Sequence, residues 1–232
     1  MTWLADLEKY QPRDQNRFVP RADSWHTTNQ MTLSDDPDLV TLQPDQSFFE
    51  TLYTAAPLVI VGTREPDGSA DLAPKHMAIP LGWSDHFGFV CTPEHGTYQN
   101  IEQTGVFTIS YPRPEDILDA SLAAAPRDDE DSKPTLAAIE TADGDAVDAP
   151  AVANAYGVLE CELDRIVDGF GRAGLVAGTV VAKHVHADAY RHDDVEPEAL
   201  LQRAPVLAHL YPDRFAEVSE TRAFPFPEGF KR

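Results

Sequence analysis

The chain has 232 residues, 42% of them hydrophobic, enough for one core, and its longest apolar runs, Pro57 to Val61 and Leu175 to Val181, fall well short of the roughly 18–20 residues that a membrane span needs. Acids outnumber bases 39 to 18, a formal charge of −21 at pH 7, so the basic footprint required by nucleic acids and by anionic membranes is missing. Asp supplies 24 of the acids while Lys occurs at five positions only, a bias that fits the surface of a salt-loving organism's protein, with self-repulsion screened by salt.

Met1 to Tyr10 has no basic start followed by an apolar stretch, so no secretory signal is expected and the cytoplasm is the default location. Residues 1–47 are polar and without periodicity, and read as an irregular extension in which Met31 offers a second translation start. Residues 48–192 carry the main domain. Phe48 to Ala55 reads as a short amphipathic turn, and Pro57 to Thr63 as a strand bounded by Pro and Gly. Glu65-Pro66-Asp67-Gly68 is a turn, because Pro fixes one backbone angle and Gly tolerates the positive one that follows. Strands are then predicted over Ser69 to Pro74, His86 to Thr92 and Val106 to Tyr111, with a helix over Thr97 to Gln103 stopped by Gly105.

From Arg113 to Pro150 the composition turns to Ala, Asp and Pro, with helices predicted at Glu115 to Ala124 and Thr135 to Thr141 and a solvated acidic loop at Asp128 to Asp131. Two long strands follow, Tyr156 to Val167 and Leu175 to His186, and residues 193–232 read as a C-terminal helix, a closing strand and a tail rich in aromatics and proline. About six strands with short connections favour a mainly β, antiparallel barrel over a βαβ sheet.

Several familiar patterns lack their context. Gly169, Gly171 and Gly174 satisfy G-x-G-x-x-G, with Asp188 near the distance of that motif's acidic residue, but Leu175 to Val181 reads as strand where a pyrophosphate-binding helix should open, so a hairpin loop is expected. His184 and His186, with His192 nearby, share a strand face, yet no third ligand at metal spacing is visible and no metal is expected. Cys91 and Cys161 sit in apolar strands outside any redox or metal spacing and are expected to be small buried side chains.

What remains is Leu72 to Ala78 followed by Cys91 to Ile101. In a chain so sparing of Lys, Lys75 beside Pro74 at a strand end offers a point charge for a phosphate or an anionic ring. Gly96 and the helix start at Thr97 expose backbone N–H groups to an anion, with Thr97 and Asn100 as side-chain donors; Thr97 as a plain N-cap is the competing reading.

The order apolar strand, turn, Ala73-Pro74, strand, Thr97-x-x-Asn100-Ile101, Thr104-Gly105 and strand resembles the flavin reductase-like proteins of the FMN-binding split-barrel fold. Lys133-Pro134, Asp148-Ala149-Pro150, Leu159 to Leu163, Gly178 to Val181, Pro205 to Leu210 and Phe215-Ala216 follow in the family's order, so the likeness covers about residues 50 to 218. It implies a six-stranded Greek-key barrel, a homodimer, and FMN in a groove near the subunit interface. On this chain Pro74, Lys75, His76 and Met77 would border the isoalloxazine ring, and Thr92, His95, Thr97 and Asn100 would surround the ribityl phosphate. The protein would place and tune the ring, and no acid–base dyad is expected to be essential.

The chain departs from the resemblance at two places. Ala173 stands where many relatives carry a His associated with nicotinamide, five residues before Gly178, and Lys75-His76 replace the usual small or hydroxyl residues after Ala-Pro. The expected function is an oxidoreductase passing electrons between NADH, NADPH or another donor and flavin or a small acceptor. The rivals are a flavoredoxin-like carrier docking to redox proteins through its acidic surface, and a barrel that binds without cofactor. Phe224, Phe226 and Phe230 of the tail are expected to bury against a partner subunit.

Overall fold

The computed structural model describes residues 32–229 except 84, 130, 193 and 228. Phe49–Thr221 form one compact unit that holds every described strand; the other unit contributes a 3-10 turn at Leu33–Asp35 and the ring pair of Phe224 and Phe226, 4.5 Å apart. Residues 1–31 and Phe230, on which most of the expected extension, the alternative start at Met31 and one tail aromatic fall, lie outside the described residues.

A helical turn, α1 (Phe48–Thr51), leads into β1 (Thr54–Pro57) and β2 (Val59–Arg64). Then come β3 (Ala70–Lys75), β4 (Ala78–Pro80), β5 (His86–Cys91), α2 (Gly96–Thr104), β6 (Val106–Tyr111) and α3 (Ile117–Ala123). The chain continues with β7 (Thr141–Asp143), β8 (Pro150–Val152), β9 (Gly157–Phe170), β10 (Ala173–Val185), α4 (Pro197–Arg203), β11 (Val206–Tyr211) and β12 (Arg214–Val218). Seven strands form one antiparallel sheet in the order β3-β2-β6-β9-β10-β5-β4, beside sheets β1-β11-β12 and β7-β8.

Chain connectivity makes this sheet a barrel. Strands β3 and β4 lie at its opposite edges, yet only His76 and Met77 separate them. Three peptide steps span at most about 11 Å. The sheet must therefore curl until its two edges meet at a seam marked by His76 and Met77. The fold is mainly β and antiparallel as expected, with seven strands rather than six in the main sheet. The added strand β4 has three residues, Ala-Ile-Pro, too short to show alternation in the sequence.

Strand β2 is buried on both faces. Val59 and Val61 pack with Phe87, Phe89, Phe107, Ile109, Cys161 and Val176, residues drawn from strands all round the curl, so this cluster fills the barrel. Ile60 points the other way, to Leu72, Ala120, Ala123 and Leu207, and so lays α3 and β11 against the outside. Helix α2 ends at Gly105, whose φ of 74° lets its N–H reach the Ile101 carbonyl at 2.8 Å. The helix expected at Thr135 to Thr141 is a 3-10 turn at Pro134–Ala138, and Thr141 already belongs to β7. Gly169 and Gly171, at φ 105° and 66°, turn β9 directly into β10, so the glycine pattern is a hairpin and no helix follows it. Cys91 and Cys161 are both buried, and burial, reinforced by Glu160, pushes the Cys161 thiol up to about 12.

Glu160 on β9 is 1% exposed and ties the loop before β8 to the barrel. Its carboxylate accepts the N–H groups of Asp145 (3.1 Å), Ala146 (2.7 Å) and Val147 (3.0 Å) and lies 2.6 Å from His184 Nε2. Burial alone would raise its pKa; the backbone donors and His184 together outweigh burial and hold it below the usual value. A depressed folded-state pKa gives stability that is full above the unfolded value of about 4.3 and is lost as pH falls through the folded one. Glu160→Gln, which turns a donor toward a donor-lined pocket, is expected to cost about 1–3 kcal/mol at pH 7. Urea melts from pH 3 to 7 should show that this cost shrinks with acidification; a constant difference would contradict the assignment.

Candidate functional site

Beside the seam opens a cleft of about 590 Å³, within the range of small-molecule sites. The end of β3 (Ala73, Pro74, Lys75) forms its floor, His95 to Thr97 at the start of α2 one wall, and Ala123 to Arg127, after α3, the other. At its base Asp71, only 2% exposed, pairs with Lys133 Nζ at 2.8 Å and with Arg127 Nη2 at 3.4 Å. Thr97 Oγ1 donates to the other oxygen of Asp71 at 3.4 Å. Arg127 also pairs with Glu65 and donates to the Asp131 carbonyl at 2.7 Å, while Lys133 donates to the Leu72 carbonyl at 3.0 Å. A buried carboxylate thus fixes two cations at one side of the cleft, and Arg127 and Lys133 cannot swing away without leaving it unpaired.

The start of α2 offers backbone donors without helical acceptors among the described residues. His95 is the residue before α2, and its carbonyl takes the N–H groups of Tyr98 and Gln99, which leaves those of Gly96 and Thr97 without a helical acceptor. Gly96 lets the Arg127 guanidinium lie close to the helix start: a Cβ there would be 2.5 Å from Arg127 Nη2 and would push that side chain aside. Lys75 has no carboxylate partner among the described residues. The His95 imidazole is held below its ordinary pKa by burial first, then by Lys75, so it is neutral near pH 7. Two amides at a helix N-terminus, a lysine without a carboxylate partner among the described residues and an arginine held by carboxylates line one cleft. Donors of this kind could hold an anion such as a phosphate monoester.

Of the residues singled out in the sequence, Pro74, Lys75, His95 and Thr97 meet in this cleft. Thr97 lies inside the first turn of α2 and is not its N-cap, which is His95. Met77 is 55% exposed at the seam, and His76 faces a different cleft. Thr92 lends its carbonyl to the N–H of His95 and does not line the cleft. Asn100 is buried and donates to Thr63 Oγ1 at 3.1 Å, anchoring α2 on β2. Sequence reasoning misses Arg127, Lys133 and the buried Asp71. The scarcity of lysine that marks Lys75 applies equally to Lys133, whereas Arg127 is hidden beside an acidic run that reads as solvated loop.

His184 and His186 do not form a metal pair. His184 is engaged by Glu160, and His186 Nδ1 lies 2.6 Å from Asp188. Asp145, Glu160 and His184 bring ligand-type atoms within 4.8 Å of one another, but both Glu160 oxygens already accept backbone N–H groups.

Solved structures carry the same fold at low identity. Component B of nitrilotriacetate monooxygenase from Bacillus cereus is similar over 82% of this chain and 100% of its own, with a TM-score of 0.69 and 18% identity. A flavoredoxin from Desulfovibrio vulgaris gives 0.67 and 20% over the same shares, and an FMN-binding protein from Thermus thermophilus 0.62 and 17% over 80% of this chain and 98% of its own. With these the curled sheet is a split barrel. Among the described residues no helix is long and apolar enough to cross a membrane. The family model described as "Flavin reductase like domain" matches residues 51–208, from before β1 into β11, and the chain therefore belongs to the flavin reductase-like family.

Proposed function

We propose that the protein is an FMN-binding oxidoreductase that moves electrons between a donor such as NADH or NADPH and flavin or a small acceptor. The observation that carries this reading is that the start of α2, at Gly96 and Thr97, lines one cleft beside the barrel seam together with Lys75 and Arg127. Bound flavin would supply two-electron chemistry. The chain's own residues hold the phosphate at α2 and position the ring along Pro74 and Lys75. Lys75, on the floor between phosphate site and seam, places positive charge where a reduced, anionic ring is stabilised. Four acids line the cleft, Glu65, Asp71, Glu94 and Asp131, against Lys75, Arg127 and Lys133. Arg127 and Lys133 pair with Glu65 and Asp71, Glu94 and Asp131 are largely exposed, and Lys75 is the cation left to meet an anion. A second copy of the chain is the partner we propose for the exposed apolar side chains at and near the seam, Met77 and Ile79.

One observation favours a carrier as the second reading: the chain's formal charge of −21 at pH 7 suits docking to a redox partner. The visible spectrum of protein purified in high salt, followed by steady-state oxidation of NADH or NADPH with free FMN, tests both readings. Flavin bands or saturable FMN uptake with turnover supports the enzyme, and tight flavin without turnover supports the carrier. Colourless protein indifferent to FMN overturns both. Lys75→Ala is expected to weaken FMN binding about tenfold, the scale of one charge-assisted contact.

A further inference from the structure

A second cleft, of about 460 Å³, lies on the other side of Pro74, and Pro74 and Ala124 line both clefts. Leu58, Ile117, Ala120 and Phe215 give it apolar walls. Its polar centre is a pair of imidazoles. His76 comes from the two-residue link across the seam and His209 from β11, and their rings stack with centroids 4.5 Å apart and planes 22° from parallel. Tyr211 packs against both, at 5.3 Å and 6.1 Å.

The two rings are oriented alike in one respect. His76 Nε2 and His209 Nδ1 are each shut off from solvent and have no hydrogen-bond partner among the described residues. A proton on either atom would be a buried donor without an acceptor, at a cost of about 1–3 kcal/mol. The proton of each neutral ring therefore belongs on the other nitrogen, Nδ1 of His76 and Nε2 of His209, neither of which is among the solvent-closed unpartnered atoms, in residues that line the cleft. Burial holds both imidazoles below their ordinary pKa, and for His76 the neighbouring His209 and Lys75 add to the effect. Two neutral N–H donors thus stand side by side between apolar walls, with Asp213 and Arg214 as the charged groups of the lining.

We propose that this cleft is a second ligand site for a small flat molecule with a carbonyl or carboxylate edge, whose oxygens accept hydrogen bonds from His76 and His209. Apolar walls cover the flat faces and the paired donors select an acceptor edge over a donor one. The shared wall at Pro74 sets this ligand beside the cleft to which the proposed function assigns flavin; the binding itself does not need flavin.

Benzoate and benzamide serve as probes, titrated by calorimetry into the full chain at pH 7.5 in high salt, with imidazole nitrogen shifts recorded by NMR. Saturable binding of at least one probe is expected, weakened about tenfold by His76→Phe and by His209→Phe, which keep a ring in the stack, and partly restored in His209→Gln, which returns a donor. Melting curves of each variant confirm folding. Failure of both probes to bind, affinities unchanged in the Phe variants, or nitrogen shifts that put the proton on His76 Nε2 would overturn the proposal. FMN is titrated separately: flavin uptake without probe binding refutes this site alone, and probe binding without flavin uptake refutes the flavin reading alone.

Discussion

Asp71→Ala is expected to lower unfolding stability by about 3–5 kcal/mol, the cost of leaving buried charge without its partner. Asp71 is 2% exposed, and its side chain is what holds Lys133 and Arg127 together. Without it the two cations face each other beneath the cleft. A phosphate in the cleft would replace part of the lost negative charge, so saturating FMN should raise the Tm of Asp71→Ala by more than that of the parent, through binding to the folded state only. Urea melts and melting curves with and without FMN check both parts. Parent-like stability would mean that the ion pairs contribute little, and an equal FMN shift in both proteins would separate these cations from the phosphate.

The second large effect is expected at Gly62. In the middle of β2 its Cα faces the carbonyl of Pro150 on β8, and an added Cβ would lie 1.8 Å from that oxygen and 2.5 Å from Thr108 Oγ1. The obstacle is backbone, so the hairpin β7-β8 must move off the barrel, and with it the pairs of Arg64 with Asp143 (2.5 Å) and Asp148 (2.7 Å). Gly62→Ala should cost about 3 kcal/mol, the upper part of the range for overpacking. Gly68→Ala is the control: its φ of 86° strains any side chain, but nothing lies within 4 Å, and a cost of about 1 kcal/mol is expected. Equal melts for the two variants would contradict the close approach at Gly62.

The contrast between those glycines shows what a sequence makes legible. Gly68 announces itself, because Glu65-Pro66-Asp67-Gly68 is turn chemistry written locally. Gly62 sits in an apolar strand and is required by a carbonyl 88 positions away in the chain (Pro150 minus Gly62), a relation no local pattern carries. The same division runs through the site. Lys75 and the α2 N-terminus can be read from punctuation and from the rarity of lysine. Lys133 shares that rarity, but its role, like that of Arg127, depends on a buried Asp71 that a strand pattern records only as one acid. Most strands of six residues or more emerge from β-branched and aromatic composition, and β3, Ala-Asp-Leu-Ala-Pro-Lys, from the turn before it and the proline near its end, while β4, β7 and β8, of three residues each, do not emerge. His209 reads as part of a closing strand, and only the curl of the sheet brings it against His76.

The central claim is that the cleft at α2 recognises a flavin by its phosphate. Comparing FMN with riboflavin, which differs by that group alone, measures this most directly, by fluorescence quenching in high salt on the parent chain and on Arg127→Ala. The account predicts that the parent binds FMN at least about tenfold more tightly than riboflavin, the scale of one or two charge-assisted contacts, and that Arg127→Ala narrows the gap. Equal affinities for the two flavins, or a gap untouched by the substitution, would contradict it.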